Sequence, residues 1–105
     1  MSNRRLNVYP AAKRDIRSAV LFYREEAGVA VAARFATALE HQYRTIARDP
    51  GVGSPRYAGE LGIEGLRHSL VKRFPYSIFY LAFDDRIEIL RVLHAMRDIP
   101  ANLRS

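Results

Sequence analysis

The sequence predicts an α+β domain of order β-α-α-β-β-β, with a helical hairpin packed on one face of a mainly antiparallel sheet. Three observations predict it. Residues 66–98 run LRHSLVKRFPYSIFYLAFDDRIEILRVLHAMRD, the most apolar part of the chain, interrupted by one proline and an Asp-Asp pair. Residues 11–48 instead space their apolar side chains at intervals of three and four. Glycines and prolines crowd the stretch between them. Two helices with one apolar stripe each need a surface to cover, and the strands supply it.

The elements follow in order. Arg5 to Tyr9 alternates and ends at Pro10, which marks a short strand. Pro10 opens the first helix, because a first-turn proline loses no needed N–H bond. Ala12, Ile16, Ala19, Val20, Tyr23 and Ala27 form its apolar stripe, and Gly28 is placed to cap it. The second helix is expected over 31–48, burying Ala32, Phe35, Ala36, Leu39, Tyr43 and Ile46. Asp49-Pro50-Gly51 stops it, since Pro50 cannot continue a helix and disfavours α geometry at Asp49. Residues 51–65 read as one long loop, a place where function often sits. Its glycines lack the GxGxxG spacing of a phosphate loop.

Three strands are then expected, over 66–74, 76–83 and 86–95. Pro75 makes a corner between the first two, and Asp84-Asp85 makes a hairpin turn between the last two. The last two strands are apolar on both faces, the pattern of central strands. One face of the sheet should remain partly open, rimmed by arginines, as a binding surface. Met96 to Ser105 leaves the sheet, and Pro100 argues against a long terminal helix.

Composition sets further bounds. With 105 residues and 49% apolar content, the chain forms one domain, 1–105, with a core that needs no staples. The absence of cysteine excludes disulfides and thiolate metal sites and fits a reducing cytoplasm. The N-terminus lacks the apolar region of a signal peptide, and no apolar run approaches the ~18 residues of a membrane span. The net charge is +6, and only Lys13 and Lys72 of the 17 basic residues are lysines. Arginine suits bidentate pairing with carboxylate or phosphate, so the excess points to an anionic partner, nucleic acid or an acidic protein segment. Codon bias in a GC-rich genome gives the same arginine preference.

Candidate chemistry is sparse. His41, His68 and His94 lack metal-ligand spacing, and no metal or other cofactor is expected. His94, at a strand end, is either a general acid/base or a packed residue holding the terminal turn. Arg67 and Arg73 fall on one strand face if the alternation continues to Phe74. Arg91 shares its face with Ile87, Ile89 and Leu93, so it needs an anionic ligand or an internal partner such as Asp15 or Asp98. Tyr76 and Tyr80 are either base-stacking platforms or core. Asp84 and Asp85 sit in a turn, and Ser69 beside His68 has no triad context, so nothing announces an enzyme.

Ala12-x-x-Asp15-Ile16 with Phe22-Tyr23 opens a longer pattern. It continues through Phe35, Leu39, Ala47-x-x-Pro50-x-x-Gly53, Gly65-Leu66-Arg67, Phe74-Pro75-Tyr76 and Ile78-Phe79-Tyr80. It ends in Ile89-Leu90-Arg91-Val92-Leu93-His94-x-x-Arg97-Asp98. Taken in order, these fragments resemble the RelE/ParE superfamily of bacterial type II toxins, its ParE branch most closely, over almost the whole chain. The ParE resemblance implies a plasmid-stabilisation type of toxin that poisons DNA gyrase without doing chemistry itself. It also implies a ParD-like antitoxin carrying a DNA-binding domain. Arg67, Arg73, His94 and Arg97 are then the target-binding candidates, and Phe22, Arg24, Arg73 and Tyr76 the antitoxin-binding ones.

The RelE alternative implies a metal-independent endoribonuclease acting on mRNA at the ribosome, through Arg67, Arg91, His94 and Arg97. Here Ser77 follows Tyr76 where many RelE-like chains carry arginine, and no tyrosine follows Tyr80. A toxin relic, kept only as a co-repressor with its antitoxin, is the third reading.

Overall fold

The computed structural model describes residues 4–96. The expectations for Arg97, Asp98 and Pro100 fall outside them. Strand β1 (Arg5–Val8) leads into helix α1 (Pro10–Ala27), then α2 (Val29–Arg48), a 3-10 turn (Pro50–Val52) and a short helix α3 (Arg56–Leu61). Strands β2 (Arg67–Leu70), β3 (Tyr76–Ala82) and β4 (Arg86–His94) complete the fold. The sheet order is β1-β4-β3-β2, antiparallel except for the parallel pair β1–β4.

Pro10 occupies the first turn of α1 as expected. The second helix starts at Val29 rather than Val31, because Gly28 alone joins the two helices. Its φ of +95° lets it donate to the Arg24 carbonyl and accept from the Ala32 N–H, serving both helix ends. Ala27 and Ala36, assigned to the buried stripes, are exposed. Asp84-Asp85 forms the β3–β4 turn, closed by Phe83 N–H on the Arg86 carbonyl.

Three expectations about the sheet are corrected. First, residues 51–65 are not all loop: α3 lays Tyr57, Ala58 and Leu61, followed by Ile63, against Leu66, Phe79 and Leu93. The face expected to be partly open thus carries α3 over part of its area. Second, β2 ends at Leu70, and Arg73 sits in the corner before β3, so it does not continue the strand face of Arg67. Third, a bulge in β4 changes which residues share a face. Phe79 pairs with Arg91 and Tyr80 with Ile89, so Leu90 is the extra residue. Past it, Val92 joins Ile87 and Ile89 under the helices, while Leu93 falls with Phe79 on the far side. One inserted residue reverses the alternation.

The main core lies between the hairpin and the sheet. Phe35, Ile46, Ile78, Tyr80, Ile87 and Ile89 are fully buried there. At its end Tyr23, Phe35, Phe74 and Tyr76 form an aromatic cluster with ring centroids 5.2–6.1 Å apart, mostly edge-to-face. Among the described residues no helix is long and apolar enough to cross a membrane.

Candidate functional site

An open groove of about 780 Å³ runs between the outer side of α2 and the β2–β3 corner. Arg34 and His41, two helical turns apart, line one wall. Lys72 and Arg73 line the other, and Val31, Ala38 and Phe74 give it an apolar floor. No acidic residue lines it. Arg34, Lys72 and Arg73 have no ion pair among the described residues. The groove is therefore a cationic trough with an apolar base, suited to an acidic chain segment that also carries apolar anchors.

The corner that presents Arg73 is strained. Arg73 has φ +71°, the only described non-glycine residue at positive φ. Such a conformation costs about 1–3 kcal/mol and persists only where surroundings enforce it. Here Val71 N–H donates to the Tyr76 carbonyl at 2.9 Å, and Phe74 N–H to the Val71 carbonyl at 3.2 Å. The buried Val71 and Tyr76 anchor both ends of the turn in the core.

The remaining candidates scatter. Arg67 donates from its guanidinium to the Gly53 carbonyl at 2.5 Å. Arg91 makes a two-pronged pair with Asp15 of α1, at 2.7 and 2.9 Å, and the same carboxylate accepts the Val92 N–H at 3.0 Å. Of the internal partners suggested for Arg91, Asp15 is observed, and Asp98 lies outside the described residues. His94 ends β4 with its ring 5.4 Å from the Tyr76 ring, and its Nδ1 accepts the Met96 N–H. Arg97 lies outside the described residues.

Register separates this set. Arg67 pairs with Tyr80 and His94 with Tyr76, from opposite sides of β3. Four residues of strand, about 13 Å, therefore lie between them along the sheet. A general acid/base and its charge-stabilising arginine need to act on the same atoms, within hydrogen-bond reach. Arg67 and His94 do not converge in this way.

Of the antitoxin candidates, Phe22 and Arg24 are exposed near the hairpin tip and Arg73 lines the groove. Tyr76 is only 7% exposed and belongs to the aromatic cluster. Tyr80 is core as well: its hydroxyl donates to the Pro50 carbonyl at 2.8 Å and accepts the Gly53 N–H at 2.9 Å. Arg34, His41 and Lys72 were not singled out as a binding set. The spacing of Arg34 and His41 on the polar side of α2 was the available signal, but nothing in sequence tied it to Lys72. Among the described residues no group of acids and histidines could hold a metal ion.

The profile of the family described as ParE toxin of type II toxin-antitoxin system, parDE, matches residues 6–99. The chain belongs to the ParE toxin family. Its fold is also that of a solved ParE-type structure, the chromosomal ParDE toxin-antitoxin system from P. aeruginosa. The TM-score is 0.72 at 20% identity, covering 87% of this chain and 95% of that one. No curated protein sequence matches. The chain is thus a type II toxin of the ParE branch within the RelE/ParE superfamily.

Proposed function

We propose that this ParE-family toxin acts on DNA gyrase as a binding poison and is neutralised by a cognate ParD-like antitoxin that carries a DNA-binding domain. The antitoxin places an acidic, amphipathic segment in the groove beside α2. The observation that carries the antitoxin part is the unopposed set Arg34, Lys72 and Arg73 above the apolar Val31, Ala38 and Phe74. Family membership supports the gyrase part. So does the division of labour in the sheet: Arg91 is engaged by Asp15, and Arg67 and His94 pair with β3 residues four positions apart, from opposite sides of that strand. A toxin that works by surface contact needs no converging acid and base.

The test is a supercoiling and DNA-cleavage assay on gyrase with purified, antitoxin-free protein, run beside a ribosome-programmed mRNA cleavage assay. Gyrase-dependent DNA breaks with intact mRNA are expected. Cut mRNA with unchanged supercoiling would replace this reading with the ribonuclease one and make Arg67 and His94 its first residues to mutate.

A further inference from the structure

The outward face of α1 carries a second cationic surface, separate from the groove. At 3.6 residues per turn, Lys13, Arg14, Arg17, Leu21 and Arg24 fall within an arc of about 100°, away from the buried Ala12 and Ala19. All five are exposed. The arc holds no acidic residue. Asp15 is occupied by Arg91, and Glu25 and Glu26 lie outside the arc.

None of the four cations has an ion pair among the described residues. Arg44, with Glu40 one turn away on α2, shows the sign mixing that a solvated helix face ordinarily carries; within the arc on α1 that mixing is missing.

We propose that this ridge is a contact surface for the phosphate backbone of duplex DNA. Lys13 to Arg24 spans about 16 Å of rigid helix, a straight line of positive charge. A duplex carries one negative charge per ~1.7 Å of axis along its two winding backbones. Arginine also forks onto phosphate oxygens. The ridge residues contribute nothing to the groove lining. It bears no aromatic side chain: Phe22 and Tyr23 lie outside the arc. Single strands are held by stacking on such rings, so the ridge suits an intact duplex read without base specificity. The groove and the ridge share no residue. This inference goes beyond the gyrase reading and does not rest on it.

The experiment titrates full-length, antitoxin-free toxin into short labelled duplexes of unrelated sequence, between about 50 and 200 mM salt. Two variants with equal charge loss are compared, Arg14→Gln/Arg17→Gln/Arg24→Gln on the ridge and Arg34→Gln/Lys72→Gln/Arg73→Gln in the groove. Circular dichroism confirms that both are folded. Wild type is expected to bind all duplexes alike, with affinity falling steeply with salt. The ridge variant should lose about tenfold or more, with a slope of log affinity against log salt shallower by about 0.9 per lost contact. The groove variant should stay within about threefold of wild type.

Equal losses in the two variants would reduce the effect to net charge and overturn the assignment, as would no wild-type binding. Tighter binding to single-stranded RNA, or to anionic phospholipid vesicles through Leu21 and its basic neighbours, would overturn the duplex as the partner. Gyrase poisoning that survives in the ridge variant would leave the functional reading intact, so the two can fail separately.

Discussion

At His68 the two ring nitrogens have different surroundings. Nδ1 shares a 3.0 Å hydrogen bond with the buried Ser77 hydroxyl, while Nε2 is buried without a partner among the described residues. The ring stacks on Phe79 at 5.3 Å and lies 5.2 Å from the Tyr57 ring of α3. A proton on Nδ1 leaves only a lone pair unsatisfied at Nε2. Protonating Nε2 as well would bury an N–H with no acceptor, near the Arg56 cation. Burial and, secondarily, Arg56 therefore push the imidazole below its usual 6.5. The unfolded chain then takes up the proton first, so stability falls as pH drops below 6.5 and levels off once the folded form also protonates. Urea unfolding should show this loss in wild type and a flatter profile in His68→Gln, which keeps a partner for Ser77. The slope should lie well under the ~1.4 kcal/mol per pH unit of a full one-proton difference, because solvent reaches part of the ring. An acid slope unchanged by the substitution would place the titration elsewhere.

At the scale of elements, the joint between the 3-10 turn and the sheet leaves no room for a side chain at Gly53. Gly53 receives the Tyr80 hydroxyl on its N–H and the Arg67 guanidinium on its carbonyl. A Cβ there would stand 2.5 Å from the Tyr80 Oη and 2.9 Å from the His68 carbonyl. Gly53→Ala should therefore cost about 1–3 kcal/mol, read as a lower urea midpoint at unchanged slope. Adding Tyr80→Phe should not restore stability, since the His68 carbonyl and the ring Cε1, both 2.9 Å from the methyl group, still block it and the Pro50 carbonyl and Gly53 N–H lose their partner. Sequence legibility follows the same scale. The helical hairpin was readable because its three-and-four spacing runs over many turns, and Gly28 marked the joint. Helix α3 was hidden, because Tyr57, Ala58 and Leu61 span barely one turn between glycines. The β4 bulge was hidden because the strand is apolar on both faces, so no alternation registers the shift. Arg91 announced itself as a charge among apolar neighbours, with Asp15 among the partners the sequence offered. The groove was only half legible. Arg34 and His41 share a helix face, but the left-handed corner that brings Lys72 and Arg73 opposite them carries no glycine to signal it.

For the molecule as a whole, a net charge of +6 is partitioned rather than spread. Around the β3–β4 turn Arg86 is engaged by Asp85 and Glu88, and Tyr9 donates to Glu88 at 2.6 Å. Cations without an ion pair among the described residues instead line the outward arc of α1 and the groove. On the proposed docking at the groove, that arrangement predicts antitoxin capture by an electrostatically steered encounter, followed by burial of apolar anchors on Val31, Ala38 and Phe74. The two stages respond differently to salt. Raising ionic strength shortens the reach of the field to about 8 Å at physiological salt, which slows encounter but leaves the docked apolar contacts in place. Stopped-flow or surface binding measurements with the cognate antitoxin should therefore show an association rate that falls with salt and a dissociation rate that changes little. Arg34→Gln/Lys72→Gln/Arg73→Gln should lower the association rate by about tenfold at low salt, within the range that steering supplies. The same variant should converge toward wild type at high salt. Phe74→Ala should act oppositely, speeding dissociation at every salt concentration. An association rate indifferent to salt would make the interface apolar from first contact and leave the groove cations without a part in capture.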